Sequence, residues 1–94
     1  MLKVGDILWI FGETSYEIYE ISTIMCYIDA SYRERFYFIE TSSIIGDYNQ
    51  HFLIPARNYN NLVKLRHHNV TCYYTISEKE AVKFIESHYN EADN

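Results

Sequence analysis

Apolar residues in most of the chain fall into short runs that alternate with polar positions and end at turn-forming residues. A period of two is typical of β-strands, and the runs are rich in Tyr, Ile, Val and Phe, which favour strands. The pattern therefore predicts six strands. Their expected bounds are about 6–12, 16–28, 32–41, 51–54, 62–65 and 70–75.

The first two runs form a predicted hairpin around the turn Gly12-Glu13-Thr14-Ser15. Because side chains alternate along a strand, one face of the first strand should point into the core and the other should be covered by a helix or a partner. The assigned sets are Ile7, Trp9 and Phe11 for the core and Leu8 and Ile10 for the covered face. The second run is long for one strand, so we expect a bend or bulge near Ser22–Thr23.

The third run alternates over ten residues and so also has two faces. We expect Phe36 and Phe38 to point into the core. Arg33, Arg35 and Tyr37 would then lie on the outer face.

Residues 56–69 are the least regular part of the chain. The segment Leu62–Leu65 fits either a strand or a helical turn, but the β-rich run after it favours a hairpin. We expect the loop of this hairpin at His67-His68-Asn69, with Asn69 in the left-handed conformation.

The period changes near the C-terminus. Ser77 followed three residues later by Glu80 forms a capping box, which is a common start of a helix. An apolar stripe with helical spacing follows, made of Ala81, Phe84, Ile85 and His88. The pattern predicts a helix over about 78–89 that packs on the sheet.

These elements predict one mainly β domain of the α+β kind over residues 1–94, a small antiparallel β-barrel or strongly bent sheet with one C-terminal helix. The segments Lys3–Asp6, Tyr16–Ile21 and Tyr74–Ala81 resemble small SH3-like barrel proteins of bacteria and phages, many of them uncharacterised. In those proteins such motifs begin the first barrel strand and the terminal helix. The resemblance implies a fold and brings no catalytic residues with it.

The composition is typical of a globular domain, with 94 residues, of which 48% are apolar and 22% are charged. The chain opens without a recognisable secretion signal, and its first apolar run is too short to cross a membrane. We therefore expect a cytoplasmic protein with no membrane contact. Cys26 and Cys72 lie in separate runs, and we expect both thiols to be reduced and buried.

The sequence carries no motif for catalysis or cofactor binding. The three Gly are isolated, so no phosphate-binding loop is present. His51, His67, His68 and Cys72 lack the spacing of zinc ligands. We expect no enzymatic activity, no metal and no cofactor.

Two features of the composition point to protein binding: a net charge of −5 and ten Tyr. An acidic chain suits a basic protein surface better than nucleic acid, and Tyr is enriched at interfaces. We therefore predict a protein-interaction module whose partner has a basic surface. The predicted contact residues are Glu13, Glu17, Tyr19, Glu20, Tyr37, Glu78, Glu80 and Glu86.

Three further hypotheses follow. The narrower form of the first is a phage- or mobile-element-encoded inhibitor that occupies the nucleic-acid-binding groove of a host defence protein. The alternative is a nucleic-acid-binding module, because arginines pair with phosphates and bases stack on aromatic rings. Its contacts would be Arg33, Arg35, Tyr37, Arg57, Lys64 and Arg66. The third is a protein that sequesters a small ligand between the barrel and residues 56–69.

Overall fold

The computed structural model describes residues 1–29, 31, 33–67 and 69–89. They form six strands and one helix. The strands are β1 (Ile7–Phe11), β2 (Tyr16–Asp29), β3 (Glu34–Ser43), β4 (Asn49–Pro55), β5 (Val63–His67) and β6 (Val70–Thr75), and the helix is α1 (Glu78–His88). The strands form one antiparallel sheet in the order β4-β3-β2-β1-β6-β5, and the sheet is open. The mainly β fold with a terminal helix is confirmed, but closure into an SH3-like barrel is not.

β2 contains the predicted bulge. Ile21 pairs with Thr41 and Thr23 pairs with Glu40 in the strand register, so Ser22 is an extra residue with no residue opposite it on β3. Its hydroxyl donates a hydrogen bond to the Glu40 carbonyl oxygen at 3.0 Å. Because a bulge takes up one residue, the side of the sheet reached by odd positions changes at this point.

The predicted hairpin of β5 and β6 is also confirmed. His67 pairs with Val70, which leaves a two-residue loop, and Asn69 has a φ of 68° in the left-handed region. His68, the other residue of the loop, lies outside the described residues.

The inner face of the sheet carries the main core. Its buried members are Leu2, Leu8, Ile21, Ile39, Ile54, Tyr59 and Tyr74. Tyr59 comes from the connection between β4 and β5, which are the two edges of the sheet, so this connection crosses the inner face. It is held there because the Tyr59 carbonyl oxygen accepts hydrogen bonds from the Ile76 N–H at 2.8 Å and the Thr75 hydroxyl at 3.1 Å.

The prediction for the faces of β1 is wrong. Leu8 and Ile10 belong to the inner core, whereas Trp9 and Phe11 lie on the outer face with α1. The reason is that both faces of this strand are covered, one by the main core and one by the helix. Alternation between two apolar sets cannot say which set faces which layer.

The prediction for β3 is wrong because both faces of this strand carry apolar side chains, so alternation cannot say which set faces the core. Tyr37 and Ile39 pack in the inner core, and Thr41 is buried. Phe36 and Phe38 alternate with them and therefore lie on the outer face.

The predicted helix start is confirmed at α1. The Ser77 side chain accepts a hydrogen bond from the Glu80 N–H at 3.2 Å, as expected for an N-cap. Ala81 and Phe84 are buried against the outer face, where the Phe84 and Phe11 rings stack with centroids 4.5 Å apart. No helix in the described residues is long and apolar enough to span a bilayer.

Candidate protein-binding surface

The outer face of the sheet is only partly covered. α1 packs over β1 and β6, on a cluster that includes Trp9, Phe11, Tyr16 and Tyr73. Beyond the bulge, β2, β3 and β4 continue without any described element over their outer face. This bare part of the sheet contains the strongest candidate for a binding surface.

Two rows of apolar side chains cross these three strands. The register aligns Met25 with Phe38 and Leu53 in one row and Tyr27 with Phe36 and Pro55 in the next. We call these six residues the apolar sheet face. Met25 is 52% exposed, Tyr27 44% and Leu53 43%, whereas Phe36, Phe38 and Pro55 are half-buried.

The apolar sheet face is an ordered surface. The Tyr27 and Phe36 rings stack across the strands with centroids 6.0 Å apart, and Phe38 lies 5.6 Å from the His51 ring. Contiguous exposed apolar patches on a folded domain mark interaction sites more often than chance exposure.

Charged residues border the apolar sheet face at both ends. On one side Glu40 lies 3.5 Å from the His51 imidazole, and on the other Glu34 lies 3.5 Å from the Arg57 guanidinium. Such exposed pairs contribute little to stability, on the order of 0–1 kcal/mol. An apolar centre with a charged rim is, however, the usual layout of a protein–protein interface.

Two pockets flank α1. The β6–α1 pocket has a volume of about 550 Å³ and lies between the β1–β2 turn, the start of β6 and the C-terminal half of α1. The other, of about 540 Å³, lies on the side of α1 that faces the β4–β5 connection, and Phe84 and His88 line both. The predicted contact residues in these pockets are Glu13 in the first and Glu80 and Glu86 in the second.

Glu17 and Tyr19 do not form the predicted contact surface. Tyr19 is buried, and its hydroxyl donates a hydrogen bond to the Glu17 carboxylate at 2.5 Å. The Tyr48 hydroxyl donates to the same oxygen, which ties the β3–β4 loop to β2. These hydrogen bonds, that of Tyr19 first, lower the pKa of Glu17, and burial followed by the bond to Glu17 raises the pKa of Tyr19.

The remaining predicted contact residues are spread over the molecule. Glu20 is exposed on the outer face, and Glu78 is exposed at the start of α1. Tyr37 is half-buried against the inner core. Among the described tyrosines, the exposed ones are Tyr27 on β2 and Tyr48 in the β3–β4 loop, so they lie apart.

The basic residues of the alternative hypothesis are not brought together. Arg33 and Arg35 lie at the start of β3, and Arg57 nearby is paired with Glu34. Lys64 and Arg66 lie on β5, which three strands separate from β3 in the sheet. The structure therefore divides these cations between two regions.

The structure also places the two cysteines and the segment 56–69. Cys26 is exposed rather than buried, and Cys72 is half-buried; neither forms a disulfide within the described residues. In the segment 56–69, where the sequence predicts a ligand space, Tyr59 is buried and its hydroxyl donates to the Pro55 carbonyl oxygen at 2.5 Å. Among the described residues, no three His, Cys, Asp or Glu side chains are placed to share a metal ion.

Comparison with protein-family models, curated proteins and solved structures gives no match for this chain. The resemblance to SH3-like barrels therefore stays a prediction from the sequence. Function has to be argued from the surfaces described above.

Proposed function

We propose that this protein is a non-enzymatic interaction module that binds another protein through the apolar sheet face. The observation that supports the proposal is the pair of apolar rows left bare beyond the Ser22 bulge. Burying a large apolar side chain contributes roughly 1.5–3 kcal/mol, so a half-exposed one has about 1 kcal/mol left to gain. Met25, Tyr27 and Leu53 together offer a useful part of a binding free energy.

The charge of the molecule defines the partner's chemistry. The chain has a net charge of −5, and the apolar sheet face is bordered by Glu34 and Glu40. Complementary charge around an interface speeds association and fixes orientation more than it adds affinity. The proposed partner therefore presents an apolar centre surrounded by basic residues.

The test compares a double substitution on the apolar sheet face with a matched control on α1. Met25→Ser with Leu53→Ser removes apolar surface without changing charge, and Val82→Ser does the same at a position 46% exposed on α1. The wild-type protein is used to capture a partner from a host lysate, and the purified partner is then titrated against all three proteins. We expect binding about tenfold weaker for the double variant, as for interface hot spots, and unchanged for Val82→Ser.

Two outcomes would contradict the proposal. One is equal affinity of the partner for the double variant and the wild type. The other is dimerisation of the wild type in analytical ultracentrifugation that the double variant abolishes, since the face would then be occupied by a second copy.

The hypotheses carried from the sequence can be separated by related measurements. The inhibitor hypothesis requires the captured partner to bind nucleic acid and to lose it when this protein is added. The nucleic-acid hypothesis requires a gel shift at low salt that weakens as salt increases. The divided placement of Arg33, Arg35 and Arg57 from Lys64 and Arg66 offers that second hypothesis no support.

A further inference from the structure

Three of the nine residues that line the β6–α1 pocket are Phe or Tyr. Tyr73 and Phe84 have ring centroids 5.2 Å apart with planes at 44°, and Phe84 and Tyr89 are 5.9 Å apart at 46°. Phe84 is buried and stacks on both Phe11, at 4.5 Å, and His88, at 3.8 Å, so the rings within reach of a ligand are those of the half-buried Tyr73 and Tyr89. The negative faces of aromatic rings attract cations placed over them.

A carboxylate lies beside these rings. Glu13 lines the pocket from the β1–β2 turn, is exposed, and has no hydrogen-bond or ion-pair partner among the described residues. None of the nine lining residues is Lys or Arg, and His88 is the one basic side chain among them. The absence of Lys and Arg from this lining disfavours phosphate-bearing ligands.

The backbone of β6 adds hydrogen-bonding capacity. β1 pairs with β6 only as far as Phe11 opposite Tyr73, while β6 continues back to Val70. The edge of Val70–Cys72 that faces away from β5 therefore has no strand partner in the described sheet. Peptide carbonyls on such an edge are acceptors for N–H donors.

Two hydrogen bonds hold the backbone of the turn that carries Glu13. The Tyr89 hydroxyl donates to the Gly12 carbonyl oxygen at 2.6 Å, which ties the end of α1 to the turn that carries Glu13. The turn itself is closed by a hydrogen bond from the Gly12 N–H to the Ser15 carbonyl oxygen at 2.9 Å. The Tyr89 ring and the backbone of the turn that carries Glu13 are thus held together.

We propose that the β6–α1 pocket binds an alkylguanidinium group, the head of an arginine side chain. A guanidinium is planar, presents five N–H donors and stacks on aromatic rings, so it can use the half-buried Tyr73 and Tyr89 rings, the Glu13 carboxylate and the backbone edge of β6. An ammonium group has three donors and no plane to stack. This site is separate from the apolar sheet face, and the inference stands without the proposed function.

The test titrates the whole protein with N-acetyl-arginine methylamide while amide signals are followed by two-dimensional NMR. The matched ligand control is N-acetyl-citrulline methylamide, which has nearly the same shape and no charge. We expect the arginine compound to shift the signals of Glu13, Thr71 and Tyr73 and to bind about tenfold more tightly than the citrulline compound.

Two substitutions locate the charge. Glu13→Gln should weaken binding of the arginine compound about fivefold. Glu78→Gln removes the same charge from the start of α1, outside the pocket, and should leave binding unchanged. Equal binding of the two compounds, shifts confined to other regions, or equal losses in both variants would overturn the proposal.

A further arm identifies the source of the group. Free arginine and a short peptide with arginine at its centre are titrated in the same way. Tighter binding of the peptide indicates a protein ligand, and tighter binding of the amino acid indicates a small molecule. Both results keep the guanidinium chemistry, whereas failure of both to shift the pocket signals contradicts it.

Discussion

At the scale of single residues, Glu17 shows how partners determine what a side chain does. It occupies an exposed position on β2, yet one carboxylate oxygen accepts hydrogen bonds from the hydroxyls of both Tyr19 and Tyr48. These bonds favour the ionised form and hold the pKa of Glu17 below its usual value of 4.5. Glu17 therefore links β2 to the β3–β4 loop instead of offering its charge to a partner.

This arrangement predicts a dependence of stability on pH. A carboxyl group whose pKa is lower in the folded state stabilises the protein above its unfolded pKa, and this contribution disappears as pH falls through the folded pKa. We expect Glu17→Gln to be less stable than wild type at pH 7, by less than about 1 kcal/mol because the group is well exposed to solvent. The difference should shrink steadily below about pH 4.5.

Urea unfolding of both proteins between pH 3 and pH 7 provides the measurement. Glu20→Gln is the control, since it removes an exposed carboxylate from the same strand without touching the two tyrosines. A difference between wild type and Glu17→Gln that does not change with pH would show that the hydrogen bonds do not depend on ionisation.

The number of tyrosines in the sequence does not show which of them have a structural role. Tyr59 and Tyr74 are buried, and burial raises the pKa of Tyr74 to about 12. Tyr59 satisfies its hydroxyl by donating to the Pro55 carbonyl oxygen, and Tyr89 does so by donating to Gly12. A count of ten Tyr cannot distinguish these structural uses from a surface patch, because the distinction depends on where the fold places each ring and its backbone acceptor.

At the scale of elements, the sequence predicts a structural feature correctly where a short motif determines that feature. The Ser77 cap, the bulge at Ser22 and the left-handed Asn69 were all predictable, because each depends on residues close together in the chain. The faces of β1 and β3 were not, because both strands are apolar on two sides. The apolar sheet face was missed for this reason, since Phe36 and Phe38 were assigned to the core.

The start of α1 allows a test at this scale. Ser77→Ala removes the side-chain acceptor of the Glu80 N–H, and loss of such a cap costs about 1 kcal/mol. We expect the free energy of unfolding in urea to fall by about that amount. Ser15→Ala in the exposed β1–β2 turn is the control and should change it by less than about 0.5 kcal/mol. Equal effects of the two substitutions would mean that the cap does not stabilise α1.

At the scale of the whole molecule, the main core and the proposed binding surface lie on opposite faces of the sheet. The protein extends 50 Å along its longest axis. The main core gathers side chains from both edges of the sheet, including Ile54 from β4 and the half-buried Val63 and Leu65 from β5. The apolar sheet face lies opposite this core and carries little of its packing.

Two leucines separate these roles. Leu8 is completely buried and Leu53 is 43% exposed, so the same truncation to Ala should have unequal effects. We expect Leu8→Ala to lower the free energy of unfolding by about 2–5 kcal/mol. Leu53→Ala should lower it by less than about 1 kcal/mol. Chemical denaturation measures both, and a large loss for Leu53→Ala would show that this residue belongs to the core.

The bulge at Ser22 has a consequence for the evolution of this surface. With Ser22 taken up, Ile21 and Ile24 both reach the inner core, and Met25 and Tyr27 remain outside. Deleting that one residue would leave the same side chains on the outer face but remove the local bend. The parts of β2, β3 and β4 beyond the bulge would then point in a new direction. A guanidinium ligand of the β6–α1 pocket would not sense the change, whereas a partner that touches both the pocket and the apolar sheet face would. The single residue Ser22 therefore sets the angle between the β6–α1 pocket and the apolar sheet face, without altering the residues of either.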